Sequence, residues 1–232
     1  MTLSIAPSLA SSPDKANTSE PQRDCFFCPR LADFRQGNRR TYPDWFNSPV
    51  PSFGPRDASL LIVGLAPGLK GANRTGRPFT GDYAGLLLYE TLLAYGFAQG
   101  VYEQQPHDGL TLSNCRITNA VRCVPPENKP TPDEVAACRG FLAATLKEMP
   151  KLRAILVLGR IAFDATLRAL ALKPSQYKFN HGAALDLGGG LKLFGSYHCS
   201  RYNTSTGRLT PEMFRDVFDE IAVYLKSAAQ DQ

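Results

Sequence analysis

Four short, strongly apolar runs are spaced along the chain. They are SLLIVG at 59–64, CRITNAV at 115–121, AILVLG at 154–159 and KLFGSYH at 192–198. Runs of this kind predict buried strands, and strands without a polar face suit a sheet that is covered on both sides. Helical patterns at 83–95, 132–148, 161–172 and 211–226 separate or follow them. The alternation predicts an α/β three-layer sandwich around a central, mainly parallel, four-stranded sheet.

A chain of 232 residues is long enough for one well-buried domain. Residues 1–22 are rich in Ser, Pro, Ala and Asp without periodicity, which predicts a disordered leader before a single domain at 23–232. No run of about 18 apolar residues occurs, and the first residues lack the pattern of a signal peptide. We therefore expect a cytoplasmic protein that does not enter a membrane.

Unusual polar and glycine-rich segments follow the ends of the predicted strands, where open parallel sheets bind ligands. The first is a turn after the first strand, formed by Gly64, Leu65, Ala66, Pro67 and Gly68. Its glycines would let the backbone approach a ligand and direct N–H groups at an oxygen. The spacing matches neither a Walker loop nor a dinucleotide site. Taken alone, the segment also fits an ordinary tight turn.

Three side chains near these strand ends are candidates for base recognition and chemistry. Phe79 lies in the non-periodic stretch NRTGRPFTGD, where it either fills a local core or stacks on a flat base. Asp82 either caps the next helix or positions a water molecule. Asn119 lies at the end of the second strand.

His198 is the most informative of the three histidines. It ends an apolar strand and precedes the long polar segment SRYNTSTGRLT, a position from which functional groups are often presented. His181 is a weaker candidate, and His107 is expected to be solvated.

Four of the six cysteines have a spacing that suggests a metal centre. They are the C-x-x-C pair Cys25 and Cys28, followed far downstream by Cys123 and Cys138. A capping-box pattern at 131–134 predicts that Cys138 lies inside a helix. Four thiolates suit zinc or an iron–sulfur cluster, and the spacing does not separate the two. Cys115 and Cys199 are expected to pack as small apolar residues.

The net charge of +5 is compatible with a polyanionic partner, although many proteins without such partners are equally basic. The arginines are partly clustered. Arg74 and Arg77 lie in one predicted loop, and Arg201 and Arg208 lie in another.

Together these segments resemble the iron–sulfur-containing uracil-DNA glycosylases, specifically family 5, or type b. The similar blocks are CFFCPRL, GLAPG with GANRTGRPFTGD, TNAVRCVPPENKPTP and YHCSRYNTSTGRLT. The resemblance spans most of the chain beyond about residue 24. It implies the uracil-DNA glycosylase fold and a structural [4Fe-4S] cluster held by Cys25, Cys28, Cys123 and Cys138.

The resemblance also implies a monomeric, nucleoid-associated enzyme that excises uracil and other deaminated bases from DNA. The flipped base would stack on Phe79 and meet Asn119 with its polar edge. His198 and the N–H groups of the 64–68 turn would stabilise charge on the departing base, and Asp82 would act on water or the sugar cation. The loop at 201–209 would enter the minor groove. The expected DNA contacts are Arg74, Arg77, Arg201, Asn203 and Arg208.

The chain departs from related patterns at three positions. Leu65 stands where type a enzymes carry Glu, Lys70 lies near the place where many type b proteins have His, and Cys199 replaces a frequent Pro. Lys70 is expected to be solvated or to contact phosphate, although an adduct with an abasic aldehyde is conceivable. An alternative function is DNA binding without catalysis, with the cysteines as a structural clip. A redox carrier is disfavoured because it would not require the FTGD and YHCSRYNTSTGRLT segments.

Overall fold

A computed structural model describes residues 18–230 of the chain. In chain order its strands are β1 (Leu60–Gly64), β2 (Ala98–Gln99), β3 (Thr111–Leu112), β4 (Cys115–Asn119), β5 (Ala154–Leu158), β6 (Ala183–Asp186) and β7 (Lys192–Ser196). The main sheet has the order β4-β1-β5-β7-β6, and β2 pairs with β3 in a separate short hairpin. The first four strands of that order are parallel and correspond to the four apolar runs. The predicted α/β sandwich is confirmed.

The main sheet has five strands and not the predicted four. The additional strand, β6, lies at the edge and pairs antiparallel with β7. Its residues alternate between half-buried and exposed, so that Ala184 and Asp186 face solvent. A short strand of this kind lacks the continuous apolar run that marks the four central strands.

Seven α-helices lie within the described part of the chain. They are α1 (Pro29–Thr41), α2 (Ala72–Thr75), α3 (Tyr83–Ala94), α4 (Pro132–Lys147), α5 (Arg160–Ala169), α6 (Arg201–Ser205) and α7 (Pro211–Gln230). The four predicted helices correspond to α3, α4, α5 and α7, and the capping box of Thr131 and Glu134 is present. The sequence did not indicate α1, since few of its residues are buried and they include Arg35 and Asn38. None of the described helices combines the length and apolar character needed to cross a bilayer.

The strands divide the apolar core between the two faces of the sheet. In β1, Leu60 and Ile62 face the cluster that contains residues of α3 and α7, whereas Leu61 and Val63 face α4 and α5. Each fully buried aliphatic side chain of this kind stabilises the fold by about 1.5–3 kcal/mol. The double coverage explains why β1 and β5 have no polar face.

Two residues that the sequence assigned to the leader pack against the domain. They are Ser19 and Glu20, whereas residues 1–17 of the predicted leader lie outside the described part of the chain. Glu20 accepts hydrogen bonds from Arg116 and Arg122 at 3.3 and 3.0 Å, and the Ser19 carbonyl oxygen accepts one from Arg122 at 3.0 Å. Both arginines are almost fully buried and require a counter-charge. The boundary at residue 22 is therefore too late.

We expect Glu20→Gln to lower the free energy of unfolding by about 2–3 kcal/mol, because two buried guanidinium groups would lose their carboxylate. The carboxylate is 30% exposed, so water will compensate in part. Urea titration followed by circular dichroism measures the change. Asp57→Asn is the matched control, since its ion pair with Lys151 is exposed and its loss should change stability by less than about 0.5 kcal/mol. Equal effects of the two substitutions would show that the Glu20 pairs do not stabilise the fold.

Candidate active site

A cavity of about 590 Å³ opens at the carboxyl ends of the parallel strands. Its wall brings together ten residues that the sequence singled out: Leu65, Ala66, Pro67, Gly68, Lys70, Phe79, Asp82, Asn119, His198 and Arg201. The parallel register explains part of this convergence, because Gly64 at the end of β1 is paired with Asn119 at the end of β4. His198 lies two residues after the end of β7. Gly64 itself lies behind the wall, where its missing side chain leaves room for Asn119 and Phe79.

Phe79 forms an aromatic wall of the cavity. Its ring is 6% exposed and stacks with the His198 imidazole at a centroid distance of 5.9 Å and an interplanar angle of 29°. Its backbone has a φ of 55°, which is rare for an aromatic residue. Two contacts hold this conformation. The Tyr102 hydroxyl donates to the Phe79 carbonyl oxygen at 2.9 Å, and Gly85 lies so close to that oxygen that a side chain there would overlap it.

Asn119 lines the cavity and has an unpaired, buried amide oxygen, which lies against Gly64. The residue is 3% exposed, and its Oδ1 has no hydrogen-bond partner among the described residues. A buried carbonyl oxygen without a donor costs about 1–3 kcal/mol, so such groups are usually satisfied. The arrangement is suited to a ligand that brings its own N–H donor.

Asp82 caps a helix and also lies where it could act on a ligand, the two roles that its sequence position suggested. It is the N-cap of α3, where its side chain accepts from the Gly85 N–H at 3.3 Å, and it also lies in the cavity wall. Burial raises the pKa of its carboxyl above the ordinary value. Gly71 leaves the space that the Asp82 carboxyl group occupies, because a side chain at position 71 would overlap that group.

The His198 imidazole is neutral at physiological pH. Removal from water lowers its pKa to about 4, because the charged form is poorly solvated beside Phe79. Its backbone is fixed by Asn203, whose Nδ2 donates to the His198 carbonyl oxygen at 2.8 Å. A neutral, fixed imidazole can donate a hydrogen bond to an oxygen that becomes negative.

The turn after β1 offers backbone donors. Two of its carbonyl oxygens already accept hydrogen bonds. The Val121 N–H donates to the Leu65 oxygen, and the Asn73 N–H donates to the Gly68 oxygen. Within the described part of the chain, the N–H groups of Ala66 and Gly68 make no hydrogen bond. They remain available to a bound acceptor.

The other two histidines behave as expected. His181 Nε2 lies 3.2 Å from the Met213 carbonyl oxygen, and its Nδ1 accepts from the Tyr197 N–H at 3.3 Å, so the side chain connects β7 to α7. His107 is exposed.

The predicted loop after His198 begins as a short helix. Ser200 caps α6, and Tyr202 is 71% exposed beside the cavity. Two arginines of this region lie on aromatic rings. The Arg201 guanidinium is 5.1 Å from the Tyr83 ring centroid, and that of Arg208 is 4.6 Å from the Tyr197 centroid. Cation–π contacts hold such guanidinium groups in a defined position.

The structure corrects the DNA-binding prediction for Arg77. Its side chain is buried and forms a bidentate ion pair with Asp108, with hydrogen bonds of 2.8 and 2.7 Å. It also lies against the rings of Phe53, Tyr89 and Tyr102. Arg77 therefore stabilises the loop and is not presented to a phosphate. Its neighbour Arg74 is more accessible and donates from Nε to the Lys70 carbonyl oxygen at 2.9 Å.

Tyr83 and Asn128 are among the residues of the cavity wall that sequence reasoning missed. Asn128 has a φ of 57°, in the left-handed region that Asn tolerates better than most residues. The PENKP segment contained that signal, since Asn in a proline-flanked turn favours this conformation.

The four predicted metal ligands lie in one compact region beside the cavity. Cys25, Cys28, Cys123 and Cys138 pack together with Leu31 and Phe141, and Cys28 donates a hydrogen bond to Cys138, which lowers the pKa of Cys138 and raises that of Cys28. No three of the described His, Cys, Asp and Glu side chains are arranged to hold a single metal ion. In a cubane cluster each thiolate binds a different iron, and four neighbouring thiols supply the ligands that such a cluster needs. The donor set therefore fits an iron–sulfur cluster, and four thiolates also suit zinc.

The two remaining cysteines are buried away from this group. Cys115 lies in β4 and Cys199 follows His198, and both are fully buried. The Cys199 thiol donates to the Ala84 carbonyl oxygen at 3.3 Å. Both residues pack as small apolar side chains, as predicted.

Comparison with known proteins gives consistent matches over most of the chain. A family model described as the uracil DNA glycosylase superfamily matches residues 51–222. The type-5 uracil-DNA glycosylase of Thermus thermophilus is 47% identical over 202 residues, which cover 84% of this chain and 91% of that protein. Type-5 enzymes of Mycobacterium tuberculosis and Pyrobaculum aerophilum are 43% and 37% identical, covering 84% and 86% of this chain and 76% and 88% of theirs.

Proposed function

The chain belongs to the uracil-DNA glycosylase superfamily, in its type-5 group, and we propose that it hydrolyses the N-glycosidic bond of uracil and other deaminated bases in DNA. The observation that best supports this proposal is the composition of the cavity. An aromatic wall, an unpaired buried amide, a neutral imidazole and a buried carboxyl group surround a space that can hold one base. We also propose that the enzyme acts as a monomer and is associated with the nucleoid.

A base can enter this cavity only after it has left the helical stack of the DNA. An uracil opposite guanine has the lowest cost of opening among uracil-containing pairs, because it is mispaired. Once flipped, the base would stack on Phe79. Asn119 Oδ1 would accept a hydrogen bond from the N3–H of uracil, and its Nδ2 would be free to donate to O4.

Cleavage breaks the bond between C1′ and the base nitrogen, and the bonding electrons leave with the base. Negative charge then develops on O2, where the neutral His198 ring and the N–H groups of Ala66 and Gly68 would donate hydrogen bonds. Asp82 would stabilise the cationic sugar and accept a proton from the attacking water. The products are the free base and an abasic site.

Uracil-containing duplex tests this function directly. Purified protein should produce abasic sites that break only after treatment with alkali, because the proposed chemistry leaves the strand intact. Lys70 lines the cavity and is exposed, so we assign it to solvent or phosphate contact. Tight binding of the duplex without any abasic product would favour the alternative, a non-catalytic DNA-binding protein.

We propose that the surface around α6 contacts DNA through Arg74, Arg201, Asn203 and Arg208. The exposed Tyr202 is the best-placed side chain of the predicted wedge, because it lies on α6 beside the opening of the cavity. Arg201 and Arg208 are already held on aromatic rings, which reduces the entropy that they lose on binding phosphates.

Arg208→Ala should reduce the salt dependence of DNA binding. One fewer phosphate contact lowers the slope of log K against log salt by about 1, because fewer counterions are released. Fluorescence anisotropy at several salt concentrations measures the slope. Arg160→Ala is the control, because Arg160 pairs with Asp164 on α5. An affinity loss for Arg208→Ala that is the same at all salt concentrations would contradict phosphate contact.

We also propose that Cys25, Cys28, Cys123 and Cys138 hold a [4Fe-4S] cluster with a structural function. The support is the packing of the four thiols around one point of the fold, where α1 begins directly after Cys28 and α4 contains Cys138. A bound cluster would join these segments covalently through iron. Glu134 connects the same segments without metal, since it accepts from Arg30 at 2.8 and 2.7 Å while it caps α4.

Cys123→Ser should remove the cluster. Purified wild-type protein is expected to be yellow-brown with broad absorption near about 400 nm, from charge transfer between thiolate and iron. Cys115→Ser should keep the colour, because Cys115 is fully buried in β4 and is not one of the proposed ligands. Anaerobically prepared wild-type protein that contains stoichiometric zinc and no iron would contradict the cluster.

A further inference from the structure

Arg35 lies on the buried side of α1, two turns after Cys28, and is 3% exposed. Its guanidinium reaches two of the four clustered cysteines. Nη1 donates to the Cys123 sulfur at 3.4 Å, and Nη2 donates to the Cys25 carbonyl oxygen at 2.7 Å. Arg35 therefore joins the C-x-x-C segment to the residue that follows β4.

Arg35 lacks the partner that the other buried arginines have. Arg77 pairs with Asp108, and Arg116 and Arg122 share Glu20, but no ion pair to Arg35 is formed by a carboxylate within residues 18–230. Its buried Nε also has no hydrogen-bond partner in this part of the chain. A buried cation without an anion is strongly unfavourable. Asp24 lies within electrostatic range of Arg35 but pairs with Arg39, whereas the group in hydrogen-bond contact with the Arg35 guanidinium is a cysteine sulfur, so the thiols are the nearest place for a balancing anion.

We propose that Arg35 is the counter-charge of the iron–sulfur cluster and that it raises the reduction potential of the cluster. The inference rests on the proposed [4Fe-4S] cofactor. Four thiolates give the bound cluster a net negative charge, and one-electron reduction adds another. A fixed positive charge at hydrogen-bond distance from a ligand sulfur therefore stabilises the reduced form more than the oxidised form.

Two substitutions separate the charge of Arg35 from its shape. Arg35→Gln removes the charge. Arg35→Lys keeps the charge but loses the planar guanidinium, whose two Nη atoms reach Cys123 and Cys25 at the same time. Arg40→Gln is the matched control, because Arg40 lies on the same helix and is exposed. Each protein is purified anaerobically, its iron and sulfide are quantified, and its cluster is titrated at an electrode, which supplies the electron.

In Arg35→Gln we expect the reduction equilibrium to shift at least about tenfold toward the oxidised form, which corresponds to a potential about 59 mV lower. Arg35→Lys should lie between this variant and the wild type, and Arg40→Gln should match the wild type. A potential of Arg35→Gln equal to that of Arg40→Gln would overturn the inference and leave the cofactor in place.

Two further outcomes are decisive. If Arg35→Gln holds no iron but Arg35→Lys does, the charge is required and the proposal is supported. If both variants lose iron together with their circular-dichroism signal, Arg35 serves packing alone and the proposal is wrong. Wild-type protein without iron would overturn the cofactor itself, whereas glycosylase activity, assayed separately on uracil-containing duplex, tests the function independently.

Discussion

Asp82→Asn is expected to slow single-turnover excision of uracil by about 10²–10⁴, the usual effect of removing a catalytic carboxylate. Asparagine is as good an N-cap as aspartate, so α3 should keep its start and the fold should not weaken. Asp82→Ala would lose the cap as well, at a cost of about 1 kcal/mol. Rapid-quench assays with enzyme in excess measure the chemical step. Asp133→Asn, in the first turn of α4, is the control and should cleave at the wild-type rate.

The raised pKa of Asp82 adds a pH signature. Because the ionised form would be the active one, the wild-type rate should fall as pH decreases through that raised pKa, and this limb should be absent in Asp82→Asn. A carboxyl whose pKa is higher in the folded state stabilises the fold below its unfolded pKa, and this contribution is lost as pH rises through the folded pKa. At neutral pH, Asp82→Asn should therefore be at least as stable as the wild type. A variant that is both slow and clearly less stable would indicate a structural function.

His198→Ala should slow the same step by about 10²–10³, the usual loss for one donor to a developing oxyanion, while DNA binding stays nearly unchanged. The loss should be largest for bases that are poor leaving groups, since these depend most on stabilisation of the departing charge. The loss for Asp82→Asn should vary less among bases, because the sugar and the water are common to all substrates. His107→Ala, at an exposed position, is the control. Wild-type rates in both active-site variants would place the catalytic centre elsewhere.

The low pKa of His198 predicts a second effect of His198→Ala, on the pH dependence of stability. The unfolded ring takes up a proton near pH 6.5, but the folded ring does so only at about 4. The neutral ring therefore contributes stability above pH 6.5 that is lost as pH falls toward 4. His198→Ala should remove this part of the pH dependence of unfolding.

Most of the fold could be predicted because its central strands are buried on both faces, which leaves a continuous apolar run in the sequence. The edge strand β6 and the helix α1 left no such pattern, since β6 has an exposed face and α1 buries polar side chains such as Arg35. Tertiary contacts, and not local propensity, hold both elements in place.

Much of the candidate site could be predicted because its residues lie near the ends of strands, and those strands could themselves be predicted. Phe79, Asp82, Asn119 and His198 follow strands or precede a helix, so their convergence follows from the parallel topology. Arg77 could not be assigned correctly, because its partner Asp108 is 31 residues away and has no local signal. Glu20 was misassigned for the same reason, since Arg122 lies 102 residues downstream.

The side chains that would act on the base lie directly against glycines, whose missing side chains leave the room that they occupy. Gly64 lies behind Phe79 and Asn119, Gly71 lies against Asp82, and Gly85 lies against the Phe79 backbone. A larger residue at any of these glycines would displace a functional group before it changed the shape of the cavity. Engineering of the range of bases that the enzyme accepts would therefore have to leave these three glycines unchanged.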